Sequence, residues 1–186
     1  MVQFVPPLIQ ARPRRFTRAE YDRLIELGFF QRERIELIHG VLCRMSPIGI
    51  AHANAVVRLG KLLTMRVGDR AQVRAQQPFC ACDESEPEPD IAIVPEAEYT
   101  AHPDSALLII EVADSSLEYD RETKAPLYAA SGVPEYWILN LIERTLEIHT
   151  SPDGARYASI ERVGVGKSAA PRAFPDIRVE IAALLR

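Results

Sequence analysis

Two neighbouring apolar runs constrain the fold most strongly: residues 89–94 (PDIAIV) and residues 106–113 (ALLIIEVA). The second run is almost continuously apolar, which is typical of a strand in the middle of a sheet that is covered on both faces. Asp90 begins the first run, and Glu111 lies near the end of the second. Two carboxylates at the ends of neighbouring central strands are costly to bury unless a positive charge lies between them.

The segments that precede these runs predict two helices and a hairpin. Thr17 and Glu20 form a capping-box pattern, which opens a helix that ends at Gly28. Two short alternating runs flank His39-Gly40 and predict a β-hairpin. Apolar residues at helical spacing then predict a helix from about residue 50 to residue 67, and residues 71–82 predict one or two further strands.

The segments that follow predict a helix from about residue 120 to residue 130. Pro126 removes a backbone hydrogen bond beyond the first turn of that helix, so we expect a kink or a helix restart there. Residues 135–141 and 145–150 predict a second hairpin, and the Asp153-Gly154 turn leads into a strand at about residues 156–163.

The length and composition predict a single domain that could bury a real core. We expect an extended, proline- and arginine-rich arm at residues 1–15 and one domain over residues 16–186. No apolar run approaches the ~20 residues needed to cross a bilayer. The basic residues follow the short N-terminal apolar run, the reverse of a secretory signal, and the odd number of cysteines favours a reducing compartment, so we expect a cytoplasmic protein.

The cysteines and the charge bear on possible partners. Cys80 and Cys82 would lie on one strand face, and we interpret them as packing thiols because no second Cys/His pair could complete a zinc site. The net charge of -4 is unfavourable for nucleic-acid binding, although charge can be segregated. Among the basic residues only Lys61, Lys124 and Lys167 are lysines, which draws attention to Lys124.

The central carboxylates predict a divalent cation site. Asp90 and Glu111 could hold Mg²⁺ together with the backbone carbonyl of Val112, and Lys124 could orient an attacking water. In the alternative interpretation Asp90 is a turn residue, Glu111 pairs with an arginine, and Lys124 belongs to a solvated helix face. From spacing alone, Glu36 is interpreted first as a solvent-facing strand residue and alternatively as a carboxylate aimed at the same cavity. His52 lies in the first turn of a helix, where a neutral imidazole is favoured, and is interpreted first as a surface or capping residue.

A resemblance to a known family covers about residues 34–139. The segments RIELIHGVL, SPIGIAH, EPDIAIV, LLIIEVADSS, YDRETKAPLY and SGVPEYWIL resemble, in order and spacing, the Uma-two family of restriction-endonuclease-like proteins within the PD-(D/E)XK nuclease superfamily. The superfamily's usual lysine, two residues after the glutamate, is replaced by Ala113. Asn140 and Pro126 also depart from the pattern.

The resemblance implies an α/β fold with a restriction-endonuclease-like mixed central sheet flanked by helices. It also implies roles for individual residues: Asp90 and Glu111 as metal ligands, Lys124 as a catalytic lysine displaced onto the following helix, Glu36 as an upstream glutamate that assists the metal site and is a further candidate ligand, and His52 and Tyr128 as supporting residues. We therefore expect a Mg²⁺- or Mn²⁺-dependent endonuclease that hydrolyses DNA with an activated water. The alternatives are a nuclease-fold protein that binds DNA or a protein partner without turnover, and a hydrolase of RNA or small phosphoesters. A homodimer is expected by analogy.

Overall fold

A computed structural model describes residues 13–185 and contains a mixed six-stranded sheet with helices on both faces. We expected an extended N-terminal arm at residues 1–15. Of this arm, residues 1–12 lie outside the described residues. The helices are α1 (Arg18–Glu26), α2 (Ile50–Val67), α3 (Leu117–Tyr119), α4 (Ala125–Ala130) and α5 (Ile181–Leu184). The strands are β1 (Ile35–Ile38), β2 (Val41–Arg44), β3 (Gln72–Ala75), β4 (Ile91–Val94), β5 (Leu108–Ala113), β6 (Glu135–Asn140), β7 (Thr145–Asp153), β8 (Arg156–Gly164), β9 (Ser168–Ala169) and β10 (Val179–Glu180).

The central sheet has the strand order β3-β4-β5-β6-β7-β8. The β5–β6 pair is parallel, and the other neighbouring strands are antiparallel. The strands β4 and β5, which carry the two apolar runs, are therefore interior strands, and every residue of both strands is buried. This confirms the predicted mixed central sheet.

Two separate cores cover the two faces of the sheet. On one face, alternate residues of β4 and β5 such as Ile91 and Ile110 pack against the apolar side of α2, including Leu59 and Leu63. On the other face, a second set that includes Ile109 packs against α4. Because side chains alternate along a strand, Glu111 lies on the same face as Ile109 and under α4.

The predicted N-terminal elements are present. The Thr17 side chain accepts from the Glu20 N–H, and the Glu20 side chain accepts from the Thr17 N–H, which completes the capping box. The hairpin β1–β2 turns at His39-Gly40, where both residues have positive φ angles. Helix α2 spans the predicted residues 50–67. None of the helices within residues 13–185 is both long and apolar enough to span a bilayer.

The predicted helix over residues 120–130 has a discontinuity before Pro126. After the short α3, residues Asp120–Lys124 form a π-helical turn in which the Ala125 N–H donates to the Asp120 carbonyl. Helix α4 then begins at Ala125, with Pro126 in its first turn, where a missing N–H is tolerated. The start of α4 at Ala125 confirms the predicted helix restart near Pro126. The helix adjusts there through one wide turn rather than through a sharp kink.

The prediction for residues 71–82 was partly wrong. One strand, β3, forms there, and the residues after Ala75 are irregular apart from a single bridge between Cys82 and Ser85. Cys80 is buried and Cys82 is exposed, so the two thiols do not share a strand face as expected. The cause is the local chain path: Cys80 donates its backbone N–H to the Pro103 carbonyl rather than to a neighbouring strand.

Candidate active site

Asp90 and Glu111 lie side by side because β4 and β5 are antiparallel. Asp90 directly precedes β4, so it comes beside the end of β5. The Asp90 backbone N–H donates to Glu111 Oε2 at 3.2 Å, and the Val112 N–H donates to Asp90 Oδ2 at 2.9 Å. Both side chains are almost fully buried. Two carboxylates are therefore joined through the backbone at one end of the central strand pair.

Lys124 reaches the same place from the π-helical turn. Its Nζ lies 2.9 Å from Glu111 Oε1 and 3.3 Å from Glu36 Oε2. Only 4% of Lys124 is exposed, so the alternative in which it belongs to a solvated helix face was wrong, and the partner of Glu111 is this lysine rather than an arginine. The physical reason is that the turn faces the sheet, where the carboxylates compensate the buried ammonium.

Glu36 is a buried member of the same cluster. It is 3% exposed and accepts hydrogen bonds from the Tyr119 hydroxyl at 3.2 Å and the Glu88 N–H at 3.3 Å. The first interpretation, a solvent-facing strand residue, was therefore wrong. The hairpin that carries Glu36 is buried on both faces of β1, which the alternation of its sequence does not indicate.

His52 and Tyr128 each contact one of the two central carboxylates. His52 Nε2 lies 2.9 Å from Asp90 Oδ2, and the Tyr128 hydroxyl donates to Glu111 Oε1 at 2.9 Å. The first interpretation of His52 as a surface or capping residue was wrong, because α2 directs the imidazole into the cluster. The hydrogen bond with Asp90 raises the pKa of His52, against the lowering effect of burial. The effect of Asp90 on the pKa of His52 therefore outweighs that of burial.

Asp120, Tyr119 and Gln76 also belong to the site and were missed from the sequence. Asp120 is 3% exposed and accepts from the Ser116 hydroxyl at 2.7 Å. Gln76 donates to Asp90 Oδ1 at 3.3 Å. Asp120 lies four residues before Lys124, and this spacing could have indicated that the two side chains share one helix face. Such pairs are also common on solvated helices, so the spacing alone does not identify a site.

An open cavity of about 370 Å³ is lined by all of these site residues except Tyr128. Its floor carries the carboxylates and Lys124, and its walls come from the hairpin, the loop before α2 and the loop before α3. Arg34 and Arg44 stand on its hairpin side, and Ile48 and Gly49 stand at the start of α2. This volume lies within the range of about 300–1,000 Å³ that is typical of ligand-binding sites.

Burial raises the pKa values of two carboxyl groups in the cluster. Burial raises the pKa of Glu111 to about 8, with added repulsion from Asp90 and Asp120, although Lys124 opposes the rise. Burial likewise raises the pKa of Asp120 to about 6. For Lys124, burial alone would lower the pKa, but Glu111, Glu36 and Asp120 together raise it above its ordinary value. The site therefore holds more carboxylates than its one lysine compensates.

The residues present fit a divalent cation with few protein ligands. Within residues 13–185 no group of three or more His, Cys, Asp or Glu side chains is arranged as a metal site. Mg²⁺ needs no such group, because it is usually held by one or two carboxylates with waters and substrate oxygens. Asp90 and Glu111 supply two carboxylates, and the excess negative charge around them favours a cation.

The comparison with family models decides where this chain belongs. The model of the Uma2 family, described as "Putative restriction endonuclease", matches residues 18–183. The chain belongs to this family. The match confirms the resemblance stated from the sequence motifs, and it extends from the start of α1 into α5 and includes every candidate site residue. A search of curated proteins gives no match.

A solved structure shows the same fold. The chain is similar to the crystal structure of a putative nuclease belonging to DUF820 from Anabaena variabilis ATCC 29413, with a TM-score of 0.70 and 15% sequence identity. The similarity covers 88% of this chain and 96% of that chain. At this identity the similarity supports the arrangement of the sheet and helices, and it confirms the predicted α/β nuclease-like fold.

Proposed function

We propose that this Uma2 family member is a metal-dependent endonuclease that hydrolyses DNA phosphodiester bonds. The observation that carries the proposal is the buried contact between Asp90, Glu111 and Lys124 at the floor of an open cavity. Two carboxylates can hold a divalent cation that activates water, and a nearby lysine can offset negative charge, so the set suits metal-assisted phosphodiester hydrolysis.

Each residue of the set has a distinct proposed task. Asp90 and Glu111 would hold Mg²⁺ or Mn²⁺, with the Val112 backbone carbonyl as a further candidate ligand. When bound, the cation would activate water and stabilise charge on the phosphoryl group. Lys124 would orient the attacking water or offset developing negative charge, since its ammonium lies within hydrogen-bond distance of Glu111 and Glu36.

The supporting residues fix the two carboxylates. Tyr128 donates to the same Glu111 oxygen as Lys124, so it restrains the carboxylate that the lysine contacts. His52 contacts Asp90 Oδ2, the oxygen that also accepts from the Val112 N–H. Outer contacts of this kind orient metal ligands and typically change metal affinity by about 10–100-fold.

The test is a cleavage assay on supercoiled, linear and single-stranded DNA with Mg²⁺, Mn²⁺ or EDTA. We expect cleavage with a divalent cation, none with EDTA, and loss of cleavage in Glu111→Ala. The matched control is Glu161→Gln, which removes an exposed carboxylate on β8. Cleavage by Glu111→Ala at the rate of the unmodified protein would overturn the site assignment.

The second candidate function is a nuclease-fold protein that binds DNA or a protein partner without turnover. The replacement of the usual strand lysine by Ala113 and the net charge of -4 favour it. It predicts no cleavage with any cation, and DNA or partner binding that Lys124→Ala leaves unchanged. A panel that adds RNA and small phosphoesters separates the DNA proposal from a hydrolase of those substrates, because the site chemistry would be the same.

We also propose a homodimer, which light scattering of the purified protein tests.

A further inference from the structure

The π-helical turn that carries Lys124 crosses one row of residues on the sheet. Glu111 of β5, Ile138 of β6 and Glu147 of β7 lie directly opposite one another in the strand register. Directly opposite residues point to the same face, so all three side chains lie beneath the turn. Two strand spacings separate Glu111 from Glu147, which is about 10 Å.

Ion pairs attach the turn to both ends of this row. Lys124 contacts Glu111 at one end. Three residues earlier, Arg121 contacts Glu147 at the other end: its Nε donates to Glu147 Oε2 at 3.0 Å, and its Nη2 donates to Glu147 Oε1. A guanidinium that uses two parallel donors fixes direction as well as distance.

Glu147 is a buried anchor rather than a surface partner. It is 1% exposed, whereas 31% of the Arg121 side chain is accessible. Arg162 Nε also lies 3.2 Å from Glu147 Oε1, and His149 Nε2 lies 3.5 Å from Glu147 Oε2. The hydrogen bonds from Arg121 lower the pKa of Glu147 despite its burial, so this carboxylate is ionised at neutral pH.

We infer that the Arg121–Glu147 ion pair is the positioning device for Lys124. It holds the π-helical turn over the sheet so that the lysine ammonium stays between Glu111 and Glu36. Arg121 and Glu147 are positioning residues, because neither touches the catalytic cluster. The catalytic meaning of this inference rests on the proposed function, but the placement of Lys124 can be measured without any cleavage.

The turn needs an external anchor for two structural reasons. The helix that precedes it, α3, has only three residues, and the helix that follows begins with Ala125 and Pro126. Pro126 provides no N–H to the carbonyls of the turn. Because Pro126 has no N–H, one carbonyl of the turn lacks its helical donor, so tertiary contacts carry more weight in holding the turn in place.

The test uses the scarcity of lysines. The chain has only Lys61, Lys124 and Lys167, and Lys61 and Lys167 are exposed whereas Lys124 is buried. A pulse of an amine-acylating reagent followed by peptide mass spectrometry therefore gives one protected lysine and two internal references. In Arg121→Gln we expect the labelling rate of Lys124 to rise about tenfold, with those of Lys61 and Lys167 unchanged.

Two further variants separate positioning from general destabilisation. Arg121→Lys keeps the charge but loses the two-donor geometry, so we expect an intermediate labelling rate for Lys124, with fragment-ion masses separating its label from that on the introduced lysine. Val163→Ala removes buried volume from the core on the opposite face of the sheet and leaves Arg121 and Glu147 in place. It should lower the free energy of unfolding without exposing Lys124.

The outcomes are distinguishable from failure of the proposed function. If Lys124 stays as protected in folded Arg121→Gln and Arg121→Lys as in the unmodified protein, the inference is overturned, whether or not the protein cleaves DNA. Equal exposure of Lys124 in Val163→Ala would also overturn it. If the protein cleaves DNA, Arg121→Gln should lower kcat about tenfold with little change in KM, because the pair acts on the placement of Lys124 rather than on substrate binding.

Discussion

Glu111→Gln should abolish cleavage and yet make the folded protein less sensitive to rising pH. The glutamine side chain has nearly the same size as the glutamate, so the packing under Tyr128 and α4 is kept. What it removes is a carboxyl group whose pKa burial raises from 4.5 to about 8. Lys124 keeps Glu36 as a partner at 3.3 Å.

The sign of the effect on stability follows from proton binding. Because burial raises the pKa of Glu111 to about 8, its carboxyl group binds a proton over a wider pH range in the folded protein than in the unfolded chain, where its pKa is near 4.5. The stabilisation from the protonated form is therefore complete below the unfolded pKa and is lost as the pH rises through the folded pKa. The loss amounts to about 1.4 kcal/mol per pH unit within that window, or about 3 kcal/mol between pH ~5 and pH ~7.5.

The assay is urea unfolding of both proteins in EDTA buffers over this pH range. Asp120 repels Glu111 and has a raised pKa of its own, so the comparison is repeated in an Asp120→Asn background, where only the contribution of Glu111 differs. We expect the free energy of unfolding of Glu111→Gln, minus that of the unmodified protein, to increase by about 3 kcal/mol from pH ~5 to pH ~7.5. A difference that stays constant across this range would refute the rise that burial causes in the pKa of Glu111.

Three other substitutions test separate parts of the account. Lys124→Met leaves Glu36 and Glu111 buried without their cation and should lower the free energy of unfolding by about 3 kcal/mol in urea titrations; an unchanged midpoint would contradict the buried ion pair. His52→Gln should raise the Mn²⁺ concentration for half-maximal cleavage about tenfold or more, and an unchanged concentration would remove His52 from the site. Thr17→Ala should cost about 1 kcal/mol in thermal unfolding without affecting cleavage, which a parallel loss of activity would contradict.

The fold was predictable where local chemistry and periodicity agreed. The capping box at Thr17, the turn at His39-Gly40 and the length of α2 depend on backbone hydrogen bonds and on spacing, which are local properties. The irregular path after Ala75 was not predictable, because it depends on hydrogen bonds to residues distant in the chain, such as the one from Cys80 to Pro103.

The sequence indicated which types of residue form the candidate site better than it indicated which of those residues are buried. Asp90 and Glu111 followed from their places at the ends of apolar runs. Glu36 and Asp120 did not, because a charged residue in an alternating strand or an acidic helix turn is usually solvated. They are buried because the hairpin and the π-helical turn pack over the same end of the interior strands β4 and β5, which is a tertiary effect.

The most direct test of the central claim is a crystal structure of the protein soaked with Mn²⁺ and measured for anomalous scattering. We expect a Mn²⁺ ion bound jointly by Asp90 and Glu111, with Lys124 within reach of the cation's water shell. An ion bound elsewhere, or no ion at this pair at saturating Mn²⁺, would contradict it.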